Sequence, residues 1–155
     1  MKSISIACLL SVPVWAIIMP SPRESYAEAL WDSEVQCLAI ALWHEARGEP
    51  LEGRRAVAEV ILNRRDSGRF PDTVCESVTQ PGQFVWFVSW PVEKPKDWDF
   101  WYNEAHERLQ ERADGISILD RRVTRFFSPS EHCKGSAPGA FRIGNHYFWS
   151  DSWTQ

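Results

Sequence analysis

Two apolar helical patterns meet at one break, Gly48-Glu49-Pro50, and that break most limits what the chain can fold into. Pro50 has no amide hydrogen and crowds the turn before it, while Gly48 is suited to closing a helix, so a single rod through residues 34–65 is excluded. Upstream, Ser33 followed three residues later by Gln36 has the form of a capping box and predicts a helix from Glu34 to about Arg47. Downstream, Ala56, Val57, Val60 and Ile61 recur at helical spacing between about Leu51 and Arg65, with Arg54, Arg55, Glu59 and Arg64 expected on other faces.

Gly68 and Pro71 end the second helix, and Asp72 is the expected cap of a short third one, Thr73 to Val78, closed by the turn Gln80-Pro81-Gly82. Residues 83–98 are irregular and rich in Pro and Trp, with an extended stretch only around Phe84–Val88. A fourth helix, about Asp99 to Ala113, carries Trp101, Ala105 and Leu109 along one face and stops at Gly115. Val123–Ser128 and Phe141–Ser150 have the β-branched and aromatic content of strands and are predicted to pair antiparallel across the loop Pro129–Ala140. Helices followed by a small antiparallel sheet make the class α+β. At 155 residues, 44% apolar and 25% charged, one core suffices.

The first 29 residues differ from the rest. Lys2 precedes an apolar run, Ile4–Met19, broken at Pro13, and Ala27-Glu28-Ala29 offers a small-x-small cleavage site. Residues 1–29 are therefore expected to be a signal peptide or N-terminal anchor and 30–155 the functional domain, exported to the periplasm or cell envelope. Contact with a membrane is expected only through that segment if it is not removed. An oxidising compartment allows a disulfide among Cys37, Cys75 and Cys133. Three pairings are open, and Cys37 with Cys75 is the one expected, because both fall in helices whereas Cys133 lies in a loop.

A formal charge of −4 gives no general attraction to polyanions, so nucleic acid is not an expected partner. The chain is aromatic, however, with 9 Trp and 8 Phe grouped mainly at 84–101 and 141–153. Such rings build cores and also stack on sugars.

The chemistry concentrates in His44-Glu45-Ala46-Arg47-Gly48-Glu49-Pro50. Glu45 falls in the last turn of its helix, where the negative end of the dipole and the apolar neighbours Leu42 and Trp43 favour the neutral acid, opposed by Arg47. A neutral carboxylic acid is what delivers a proton to a glycosidic oxygen. A hydrolase needs a second carboxylate about 5 to 9 Å away, for which Glu49 is the first candidate and Glu59 and Asp151 are others. A lytic transglycosylase needs none, since the sugar's own C6 hydroxyl attacks and one glutamate serves as acid and then base. A surface salt-bridge cluster capping the helix would use the same residues.

That segment, with Cys37-Leu38-Ala39, Gly53, Ala56-Val57-Ala58-Glu59-Val60, Leu62-Asn63-Arg64, Arg69-Phe70-Pro71, Thr73-Val74-Cys75, Gln83-Phe84 and Ile143-Gly144-Asn145-His146-Tyr147-Phe148, resembles the cell wall hydrolase family that includes spore-cortex-lytic enzymes. The resemblance implies a lysozyme-like or lytic-transglycosylase-like fold and cleavage of peptidoglycan glycan strands; a monomer with no cofactor is expected. It implies Glu45 as acid/base, Gln83, Phe84 and Trp86 lining a groove, and His146 and Phe148 approaching from the closing strand. The chain departs from the pattern at Arg125-Phe126-Phe127, where relatives carry a histidine-aromatic pair.

Two rivals use other residues. A zinc hydrolase would need a second histidine four residues after His44, and that position is Gly48, so no metal is expected, although His106, His132, Cys133 and His146 remain candidate ligands. A non-catalytic glycan-binding module would rely on Trp86, Trp90, Trp98 and Trp149 and would have no use for Glu45.

Overall fold

Proline is tolerated at the first position of a helix, where its missing N–H would have no partner in any case, and α1 (Pro22–Ala46) starts on one. The computed structural model describes residues 22–84, 93–128 and 138–150. Compared with the sequence expectation, α1 extends toward the N-terminus and Ser33 lies inside it rather than capping it. Neither Gly nor Pro interrupts residues 23–45, and Gln36 Nε2 donates to Asp32 Oδ2 one turn earlier at 2.6 Å.

Two further helices follow, α2 (Leu51–Asp66) and α3 (Val74–Thr79), and then α4 (Trp98–Ala113). The cap of α3 is Thr73, not Asp72. Its hydroxyl accepts from Glu76 N at 3.1 Å and donates to Glu76 Oε2 at 3.0 Å, so the Ser/Thr-x-x-Glu pair that starts a helix is here. Glu34 of α1 satisfies the next orphan amide, its two oxygens accepting from Val74 N at 2.8 and 3.0 Å. The Cys37–Cys75 disulfide ties the same two helices, which is the expected pairing.

The predicted pair of strands is a three-stranded antiparallel sheet: β1 (Val123–Phe127), β2 (Phe141–Ile143) and β3 (His146–Ser150), in the order β1-β3-β2. The segment read as one strand, 141–150, is a hairpin. Gly144, with φ +60, is the first of two turn residues, as a type II′ turn requires, and Asn145 is the second. Phe126 lies opposite Phe148, and Ile143 opposite His146.

The core joins Leu38, Ala41 and Leu42 of α1, Val57, Val60 and Ile61 of α2, Ala105 and Leu109 of α4, and Phe148 of β3. Glu59 and Arg64, expected on outer faces of α2, are buried as well. Glu59 accepts from Ser117 Oγ, Ile118 N and Leu119 N at 2.7, 2.6 and 2.8 Å. Asn63 Nδ2 donates to the carbonyls of Asp120 and Val123, and Arg64 Nε to that of Thr124 at 2.8 Å. These side chains take backbone groups that no neighbouring strand meets, and so fix β1 against α2. The α2–α4 contact is ionic: Arg54 with Glu104 at 3.4 Å, Arg55 with Glu111 at 3.2 Å, and Arg112 with Asp66 at 2.8 Å. Among the described residues, no helix is long and apolar enough to cross a membrane.

Candidate active site

The chain turns sharply between α1 and α2. Glu49 N donates to Ala46 O at 3.0 Å, Gly48 takes φ +90, and Pro50 precedes the first residue of α2. The turn sets His44, Glu45, Arg47 and Glu49 on one side of a cleft of about 540 Å³. Arg64 from the last turn of α2, Gln83 and Phe84 from beyond α3, Phe126 and Ser128 from β1 and its end, and His146 from β3 complete the lining.

Glu45 is half-buried in the last turn of α1. Burial, and then the Arg47 charge, holds the neighbouring His44 imidazole below its ordinary value of 6.5, so it is largely neutral at neutral pH. Arg47 itself is exposed and lies 5.3 Å over the Trp43 ring. The Arg64 guanidinium lies 5.5 Å over Phe84 and 5.6 Å over Phe70, which sets the ring of Phe84 as the cleft's apolar floor.

Glu49 is gripped from several sides. Oε2 accepts from Asn145 N at 2.8 Å, and Oε1 stands 3.4 Å from His146 Nδ1. A Cβ added at Gly53 would come within 2.6 Å of Oε2, and one added at Gly144 would collide with the same oxygen and with Pro50. The two glycines are the clearance that lets a buried carboxylate reach the β2–β3 turn.

Of the residues the sequence singled out, Glu45, Glu49, Gln83, Phe84 and His146 share the cleft. Phe148 does not. It is fully buried, with its ring 6.1 Å from that of Phe126 and 6.3 Å from that of His146, so it supports the wall from behind instead of touching a ligand. Trp86, Trp90, His132, Cys133 and Asp151 lie outside the described residues. Glu59 is committed to the 117–119 backbone. Trp98 packs against Tyr102, and Trp149 against Phe127; neither lines the cleft. Arg64 and Phe126 were missed as lining residues, though Val57, Ile61 and Arg64 share one helical face and could have marked the first. Among the described residues, no three metal-binding side chains gather.

Residues 48–149, more than half of the chain, match the model of the Cell Wall Hydrolase family. The chain is similar to a spore cortex-lytic enzyme of Oceanobacillus iheyensis, 31% identical over 133 residues, which cover 83% of this chain and 45% of that protein. It is also similar to one of Bacillus subtilis, 45% identical over 123 residues, covering 76% and 37% respectively. The chain thus spans less than half the length of these curated relatives. Among solved structures it is similar to the catalytic domain of the germination-specific lytic transglycosylase SleB from Bacillus anthracis, with 26% identity, a TM-score of 0.52 and coverage of 74% of this chain and 92% of that one. The SleB catalytic domain of Bacillus cereus is similar at 27% identity and a TM-score of 0.51. With its α+β fold matched to those catalytic domains and its cleft at the junction of α1 and α2, the chain belongs to the Cell Wall Hydrolase family.

Proposed function

We propose that this protein cleaves the glycan strands of peptidoglycan in the cell envelope, with Glu45 as acid and then base. The observation that carries the reading is the placement of Glu45 in the last turn of α1, half-buried and lining a cleft of about 540 Å³. The protonated Glu45 carboxyl gives its proton to the glycosidic oxygen as the bond from that oxygen to the anomeric carbon breaks. The sugar's C6 oxygen then bonds to the anomeric carbon, and the Glu45 carboxylate takes the C6 hydroxyl proton. No water is consumed, and the product is a 1,6-anhydro sugar.

The engagement of Glu49 favours this route over hydrolysis. Among the described lining residues the carboxylates are Glu45 and Glu49, and Glu49 already accepts from Asn145 N and stands 3.4 Å from His146 Nδ1. Such a carboxylate is poorly placed to hold an attacking water. Gln83 and Arg47 at the rim supply polar contacts for hydroxyl and acetamido groups, and Phe84 an apolar surface for a sugar face. Export of residues 30–155 after removal of the first 29, action as a monomer, and a groove contact from Trp86 belong to the same reading, and the Cys37–Cys75 disulfide supports an oxidising compartment.

The test is clearance of a sacculus suspension by the protein and by its Glu45→Gln variant. Loss of about 10²-fold or more in rate with sacculus binding retained is expected. Equal clearance by both would contradict the role of Glu45, and binding without clearance by either would favour the non-catalytic glycan-binding module.

A further inference from the structure

Glu49 is buried at the α1–α2 turn and held from several sides. Its two oxygens do different things. Oε2 is closed in by Gly53 and Gly144 and accepts from Asn145 N at 2.8 Å. Oε1 stands 3.4 Å from His146 Nδ1, and that buried nitrogen makes no hydrogen bond among the described residues, so the Glu49 carboxylate is the charge set against it. The ring of His146 is held edge-on to Phe126, 5.4 Å away, and tilted to Phe148, 6.3 Å away, so it cannot turn freely. His146 lines the cleft.

We infer that Glu49 is a positioning residue that holds the proton of His146 on Nδ1, so that Nε2 of the neutral ring presents a hydrogen-bond acceptor to a hydroxyl or amide N–H of the bound sugar. A carboxylate is acceptor-only and stabilises a proton on the nitrogen that faces it. On the other walls the cleft offers the cations Arg47 and Arg64, the amide of Gln83, the hydroxyl of Ser128 and the carboxyl of Glu45. An acceptor on the β3 wall gives it a contact of opposite polarity to those arginines. The inference rests on the reading of the cleft as a glycan site for its ligand, but not for its proton placement.

Glu49→Gln separates the two oxygens. An amide has one acceptor and one donor end, and the tight side beside Asn145 N requires the acceptor. The NH₂ end is then left against His146 Nδ1, which must accept, and the ring proton moves to Nε2. The experiment is nitrogen-15 spectroscopy of the His146 side chain at the alkaline plateau of its titration, in wild type and in Glu49→Gln, with initial rates on peptidoglycan in parallel.

The Nδ1–H form in wild type and the Nε2–H form in the variant are expected. With them comes a fall of about tenfold in kcat/KM, the size of one lost hydrogen bond. Glu49→Asp, which keeps two acceptor oxygens, should retain the Nδ1–H form. An Nε2–H ring in wild type would overturn the proposal without reference to any variant, and an unchanged ring form in a folded Glu49→Gln protein would do the same. The ring form is read without substrate, so failure of the glycan reading, seen as no turnover by wild type, is distinct from failure of this one. Normal turnover with the expected change of ring form, and no fall in kcat/KM, would overturn the acceptor role toward substrate.

Discussion

Gly144 and Gly68 share a left-handed backbone, φ +60 and +67, but not a neighbourhood. Space around Gly68 is open, whereas a methyl group at Gly144 would meet Glu49 Oε2 and Pro50. Gly68→Ala should cost about 1–2 kcal/mol for the backbone alone. Gly144→Ala should cost more, and should also lower turnover by displacing the carboxylate, a difference that urea unfolding and initial rates would measure. Glu45 and Glu49 stood out in the sequence as charges at a helix end beside a Gly-x-Pro break, and both line the cleft. Burial was not legible in the same way. Phe148 looked like a ligand contact and is core, while Arg64 looked solvated and is buried against Phe84, because strand facing and helix rotation are set by partners that the local sequence does not name.

Among elements, the α1–α3 clamp is the most exposed to test. The disulfide closes a loop of sequence separation 38, for which chain entropy suggests a contribution of about 3–4 kcal/mol. Replacing Cys37 and Cys75 together by serine, or reducing the bond, should lower the unfolding free energy by that order without moving Glu45, as denaturant curves would show. At the other end of α2, burial pushes the Asp66 carboxyl up. Hydrogen bonds from Arg65 and Arg112 and their charges outweigh it, and hold the group below its ordinary 3.8. A depressed carboxyl stabilises the fold above its unfolded value, and that contribution is lost as the pH falls through the folded value. Asp66→Asn should therefore flatten the decline in stability below about pH 4, read from melting temperature against pH. Three of the four helices were legible to within a residue or two, since periodicity and Gly/Pro punctuation agree there. The start of α1 was not, because Pro22 can open a helix as readily as Pro20 can stop one. The β2–β3 turn was missed although Gly144-Asn145 carries its signal, because Phe141–Ser150 is apolar enough to read as one strand.

For the molecule as a whole, the class α+β followed from element order, but the meeting of the α1 end with the β3 wall is a tertiary fact that only the resemblance anticipated. Under the proposed function that meeting is the site, with Glu45 on the α1 wall and His146 on the β3 wall. Proton transfer from a carboxyl needs no metal, so clearance of sacculi should persist in excess chelator, and its loss there would revive a metal-dependent route. The most direct measurement is mass spectrometry of the soluble products formed from isolated sacculi by the wild-type protein and by Glu45→Gln. Products ending in 1,6-anhydromuramic acid, absent with the variant, are the expected result. Reducing-end sugars in their place, or the same products from both proteins, would contradict it.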